Sequence, residues 1–118
     1  MQTEHAEQVE LIQWYRRTYG NSLLVAIPNG GVRHAAVGAR LKLEGVSKGF
    51  PDLFLPIPTP THHGLFIELK RREGGRLSKE QKEWLDYLTG AGYEARVCAG
   101  AGEAIIVITN YLQSITNR

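Results

Sequence analysis

The chain has one cysteine, Cys98, so it forms no internal disulfide and builds no cysteine-based zinc cluster. A lone thiol fits a reducing compartment. No apolar run reaches the roughly eighteen residues that a membrane-spanning helix needs. The N-terminus lacks the basic stretch and apolar core of a secretory signal, and carries Glu4, Glu7 and Glu10 instead. A cytoplasmic location is therefore expected, with no membrane partner. Strong charge of either sign is missing too: 14 basic against 12 acidic residues leave +2. That balance allows an acidic partner without requiring one, so the placement of charge matters more than its sum. There is no low-complexity tract and no internal repeat.

What remains is an ordinary globular composition, 42% hydrophobic and 22% charged. At 118 residues the chain can bury one core, so a single domain over residues 1–118 is expected. Thr3 caps a helix that runs to Tyr19 and stops at Gly20-Asn21. Leu23–Ile27 is a short strand ended by Pro28-Asn29-Gly30-Gly31. A second helix spans Arg33 to Glu44, with Gly45 as its stop. Asp52–Ile57 and Leu65–Lys70 read as a hairpin with a proline-rich loop between them. Ser78 and Gln81 give a capping-box signal for a third helix, whose apolar face holds Trp84, Leu85 and Leu88. Tyr93–Cys98 is the last strand. Gly102 to Ile115 has helical spacing, although its β-branched run Ile105–Thr109 weakens the signal. The order α-β-α-β-β-α-β-α predicts an α/β fold with a mixed sheet between helices.

The chemistry concentrates in Pro51-Asp52 and, after fifteen residues, Glu68-Leu69-Lys70. A hairpin sets the start of its first strand beside the end of its second. Asp52 and Glu68 should therefore meet, and alternation turns Glu68 and Lys70 to the same face. Each fragment alone is common turn or surface chemistry. However, Glu68 and Lys70 follow the apolar Leu65-Phe66-Ile67, and charges at the end of a buried strand point to function. Two carboxylates and an ammonium suit phosphodiester hydrolysis. Mg²⁺ takes one or two carboxylates plus waters and phosphate, and it activates a bound water. A nearby lysine positions that water or offsets developing charge.

Pro51-Asp52 with Glu68-Leu69-Lys70 matches the PD-(D/E)xK nuclease signature. Four further pieces stand in order: Asn29-Gly30-Gly31-Val32-Arg33, Gly45-Val46-Ser47-Lys48-Gly49-Phe50-Pro51-Asp52-Leu53, Gly75-Arg76-Leu77-Ser78-Lys79-Glu80-Gln81, and Gly92-Tyr93. With them the chain resembles a stand-alone virus-type replication-repair nuclease (VRR-NUC) domain. The resemblance implies a restriction-endonuclease-like fold and cleavage of DNA with Mg²⁺, or alternatively Mn²⁺, and no small-molecule cofactor. It further implies a homodimer acting on branched DNA, notably four-way (Holliday) junctions, in repair or recombination in a bacterium or phage host. By motif position, Asp52 and Glu68 become metal ligands and Lys70 the catalytic lysine. Gln81 matches the family's glutamine after the lysine, although it also completes the capping box with Ser78. The family places a further metal-binding glutamate on the first helix. A helical wheel of about 100° per residue groups Glu4 and Gln8 with Leu11 and Tyr15, so Glu4 is the first choice and Glu7 the second. The alternative is an acidic first turn that complements the helix dipole.

Charge placement then nominates the DNA contacts: Arg33 and His34 after a glycine-rich loop, Lys48 before Asp52, and Arg71, Arg72 and Arg76 after Lys70. Taken singly, each is an ordinary surface charge. Together they form a footprint for phosphates without sequence choice. His62 and His63 fall in the proline-rich loop and read as a mobile tip. Cys98 reads as a small core residue, and Trp14 and Trp84 as core or dimer contacts. Three other functions compete: a nuclease of linear, flapped or nicked DNA, a non-catalytic DNA-binding module on a nuclease fold, and a small interaction domain with no nucleic-acid role.

Overall fold

A computed structural model of the chain describes residues 2–28 and 35–116. Helix α1 (Glu4–Tyr19) begins where Thr3 accepts a hydrogen bond from Ala6 N, and ends at Gly20 in the left-handed region at φ 69°. Glu4 and Glu7 in its first turn and Arg16 and Arg17 in its last match the helix dipole. Strand β1 (Val25–Ala26) is followed by helix α2 (Ala35–Leu43), strand β2 (Leu53–Leu55) and strand β3 (Leu65–Lys70). Helix α3 (Lys79–Gly90), strand β4 (Glu94–Ala99) and helix α4 (Ala101–Thr116) complete the chain. The element order is the expected one.

The sheet order is β1-β2-β3-β4, with the first two pairings antiparallel and β3–β4 parallel. Residues 65–69 of β3 are all buried, because the strand is covered on both faces. Leu65, Ile67 and Leu69 join a core with Leu11 and Tyr15 of α1 and Ala101, Ala104, Ile108 and Tyr111 of α4. Phe66 points to the other face, where it stacks on Phe54 (4.3 Å between centroids) and meets Phe50 and Tyr93 edge-on. Phe50 in turn packs on Trp84 of α3. The sheet thus lies between α1 and α4 on one side and α3 on the other.

Strands β1 and β2 are shorter than the β-rich runs predict. After β2, Pro56 and Pro58 offer no N–H to a ladder, so pairing stops at Leu55. Helix α4 forms in spite of its β-branched run, because Ala101, Ala104, Ile108 and Tyr111 recur at helical spacing and are buried. Tertiary burial here outweighs propensity. The loop from Pro56 to Gly64 is not the mobile tip expected from its composition. His63 N donates to Gly92 O at 2.8 Å, and Tyr111 Oη donates to Ile57 O at 2.6 Å. The His63 ring packs against Tyr93, with centroids 5.6 Å apart. No helix among the described residues is long and apolar enough to cross a membrane.

Candidate active site

The β2–β3 ladder sets Leu53 opposite Ile67, and continuing that register by one residue sets Asp52 opposite Glu68. Asp52 Oδ2 accepts a hydrogen bond from Leu69 N at 2.8 Å, which pins the carboxylate across the end of the ladder. Glu68 is 2% exposed. Its Oε2 lies 3.1 Å from Gln81 Nε2 and 3.6 Å from Lys70 Nζ. Its Oε1 is buried with no hydrogen-bond partner among the described residues. Burial pushes the Glu68 carboxyl up to about 8, and the neighbouring Asp52 carboxylate adds to the rise. Lys70 opposes the rise, while the Glu4 charge reinforces it.

Gln81 fills both roles that its position in the sequence allowed. Ser78 Oγ accepts from Gln81 N, and Gln81 Oε1 accepts from Ser78 N at 2.9 Å, which closes the capping box. The same Oε1 accepts from Lys70 Nζ at 3.0 Å while Nε2 donates to Glu68. The start of α3 therefore orients the carboxyl and the ammonium together. Gly49 lets this happen. At φ 86°, a Cβ there would stand 2.6 Å from the Glu80 carbonyl carbon and 2.7 Å from Gln81 N. Close backbone approach brings α3 against the segment that leads to Asp52. Beyond the glycine itself, nothing in the sequence signals that approach.

On α1 the two glutamates differ in burial, in the opposite sense to the inward-facing Glu4 that the helical wheel predicts. Glu4 is exposed, whereas Glu7 is fully buried. The wheel gives the angle around a helix and says nothing of position along it. Glu4 is the first residue of the helix. Glu7 lies one turn further in, where its Oε1 accepts from Ala101 N at 2.9 Å and its Oε2 stands 3.0 Å from Arg72 Nε. The Ala101 hydrogen bond holds the Glu7 carboxyl below its ordinary range, against the opposing effect of burial and with help from Arg72. Among the described residues no group of three or more His, Cys, Asp or Glu is gathered as a ready metal site. Asp52 and Glu68 are a pair, which still matches the one or two carboxylates typical of Mg²⁺.

The basic residues divide. Arg33 and His34 lie outside the described residues. Lys48 is 81% exposed and stands 4.0 Å from Glu80. Arg71 turns back on its own loop, donating to Glu73 O at 2.9 Å and Gly74 O at 3.3 Å. Arg72 reaches Glu7, and Arg76 is exposed on the loop before α3. Cys98 is fully buried, and burial pushes its thiol up to about 11. Trp14 borders the core, and Trp84 donates to Ser47 Oγ at 3.1 Å.

The VRR-NUC domain family model matches residues 2–102, most of the chain. The chain belongs to the VRR-NUC family. A solved structure described as a VRR_NUC domain protein superposes with a TM-score of 0.86 at 28% identity, covering 97% of this chain and 91% of the other. Comparison with curated proteins gives no match. Family membership makes this a nuclease-type domain, for which DNA is the implied substrate. The mixed sheet flanked by helices is the fold shared with that VRR-NUC neighbour.

Proposed function

We propose that the chain is a metal-dependent, structure-selective DNA endonuclease that resolves four-way junctions by phosphodiester hydrolysis. The observation that carries the reading is the buried, partnerless Glu68 Oε1 beside Asp52 at the end of β3. A buried carboxylate oxygen without a donor suits a hard cation. Asp52 and Glu68 are the residues that would hold Mg²⁺ or Mn²⁺. When bound, the ion would neutralise phosphate charge and acidify a water.

The chain's own groups do the rest. Lys70 carries a positive charge 3.6 Å from Glu68 Oε2, where it can offset the negative charge that builds on a phosphate under attack. Gln81 holds Lys70 and Glu68 at once and limits the freedom of the long lysine stem. Each cut adds a water oxygen to phosphorus and breaks one ester P–O bond. Glu4, exposed but close enough for its charge to act on Glu68, is the α1 carboxylate that would join the pair. Lys48, Arg71 and Arg76 are the described candidates for phosphate contact.

Four-way junctions are the favoured substrate because two copies of so small a chain provide two symmetric sites for a nearly two-fold DNA. The test is cleavage of a labelled four-way junction beside a linear duplex built from the same arms. Each is run with Mg²⁺, with EDTA and with Asp52→Ala. Paired cuts near the crossover, lost in EDTA and in the variant, are expected. Equal metal-dependent cutting of both substrates would remove junction selectivity and leave a general nuclease. Tight binding with no cut in Mg²⁺ or Mn²⁺ would point to a binding module.

A further inference from the structure

We propose that Glu7 and Arg72 are a positioning pair for Lys70, and that Arg72 serves the site through Glu7 instead of through DNA phosphate. The inference rests on the nuclease reading for what Lys70 does, but the pair itself is read from contacts. Glu7 is fully buried. One of its oxygens takes the N–H of Ala101 at the start of α4, and the other faces Arg72 Nε at 3.0 Å. The preceding residue, Gly100, donates its N–H to Lys70 O at 2.8 Å. Contacts and chain therefore close a ring: Glu7 to Arg72, back two residues to Lys70, across to Gly100, on to Ala101, and back to Glu7.

Gly100 makes the ring possible. It sits at φ 91°, and a Cβ there would stand 2.7 Å from Arg72 Cγ, in the path of the arginine stem. The ring fixes the Lys70 backbone from two directions, at its carbonyl and two residues beyond. Fixing the root of the lysine sets where its ammonium can reach, and that ammonium meets Gln81 Oε1 at 3.0 Å. Arg72 is also poorly placed to give up its partner. Withdrawal toward phosphate would leave the Glu7 charge buried with one hydrogen bond, a costly state. Among the described residues, Arg71 and Arg76 have no such carboxylate to abandon.

The test compares Glu7→Gln, Arg72→Gln, the double variant and Arg72→Lys. Three readings are taken: cleavage rate and KM, the salt dependence of DNA binding in EDTA, and amide exchange at Gly100 and Ala101. All are taken at a temperature where every variant is folded. The single variants should lower kcat about tenfold with KM unchanged, and the double variant should lower it no further. Arg72→Lys, which keeps a cation for Glu7, should restore most of the rate. The salt slope should stay at its wild-type value, and exchange at Gly100 and Ala101 should quicken in the Gln variants.

A slope smaller by about 0.9 in Arg72→Gln alone would make Arg72 a phosphate ligand and overturn the proposal. Unchanged exchange, or an unchanged kcat in an active enzyme, would overturn it as well. A wild-type chain that cuts no DNA would sink the nuclease reading by itself. The exchange measurement would then decide whether the pair anchors Lys70.

Discussion

The substitution Gln81→Glu isolates one hydrogen bond of the site. A carboxylate side chain at this position still completes the capping box with Ser78 and still offers an oxygen to Lys70. What it loses is the Nε2 donor that now lies 3.1 Å from Glu68 Oε2. Above a pH of about 8, where Glu68 is ionised, a hydrogen bond to it is worth about 1.5–3 kcal/mol. Unfolding entropy of about 2.1 cal/mol/K per residue gives about 0.25 kcal/mol/K for 118 residues. At a pH of about 9 the metal-free variant should therefore melt about 6–12 °C below the wild type. The deficit should also depend on pH. Glu68 titrates near 8 against an ordinary 4.5, so the folded chain holds a proton that the unfolded chain has released. The contribution of Glu68 to stability is thus full below 4.5 and falls as pH rises toward 8. A second carboxylate pushes the Glu68 value higher still. At a pH of about 6 a protonated Glu68 can donate to the introduced carboxylate, whereas at about 9 the two charged groups repel. Thermal denaturation in EDTA across that range should show a small deficit at low pH and a large one at high pH. Equal melting temperatures, or a deficit that ignores pH, would refute the Gln81–Glu68 bond as the cause.

Asp52→Asn keeps an oxygen for Leu69 N but removes the charge beside Glu68. Metal-free stability at a pH of about 9, where Glu68 is ionised, should rise by about 1 kcal/mol in urea titration, while cleavage should fall more than about a hundredfold. Gly49→Ala forces a left-handed φ and a contact with α3 backbone that cannot yield. It should cost about 1–3 kcal/mol and slow cleavage through the displaced Gln81, though no chemical group is changed. On the proposed reading, Mg²⁺ bound at Glu68 would have to displace its proton below pH 8. Its apparent affinity, measured by calorimetry, should climb about tenfold per pH unit and then level off above about 8; a flat profile would count against Glu68 as a ligand.

Much of the fold is legible along the chain because its signals are local. Thr3, Gly20 and the Ser78–Gln81 box mark helix ends by satisfying backbone groups within a few residues. The apolar run Leu65–Leu69 marks the central strand, since only a strand covered on both faces stays apolar at every position. The hairpin register that brings Asp52 opposite Glu68 also follows from alternation and loop position. Those features rest on spacing, which a sequence contains in full.

The placement of charge on α1 and after β3 is different. Glu4 and Glu7 share the first turn of the helix, and depth along it leaves one exposed and the other buried. Arg72 looks like its neighbours Arg71 and Arg76 until Glu7, from the far end of the chain, is found 3.0 Å away. Gly49 and Gly100 carry no sign of the backbone and side chain that crowd them. Spacing along the chain sets the elements, their order and the meeting of Asp52 with Glu68. Which charges are buried, and what each is paired with, is settled in the packed fold. Desolvation and ion pairing act over a few ångströms of space, and residues far apart in sequence come that close only when the chain has folded.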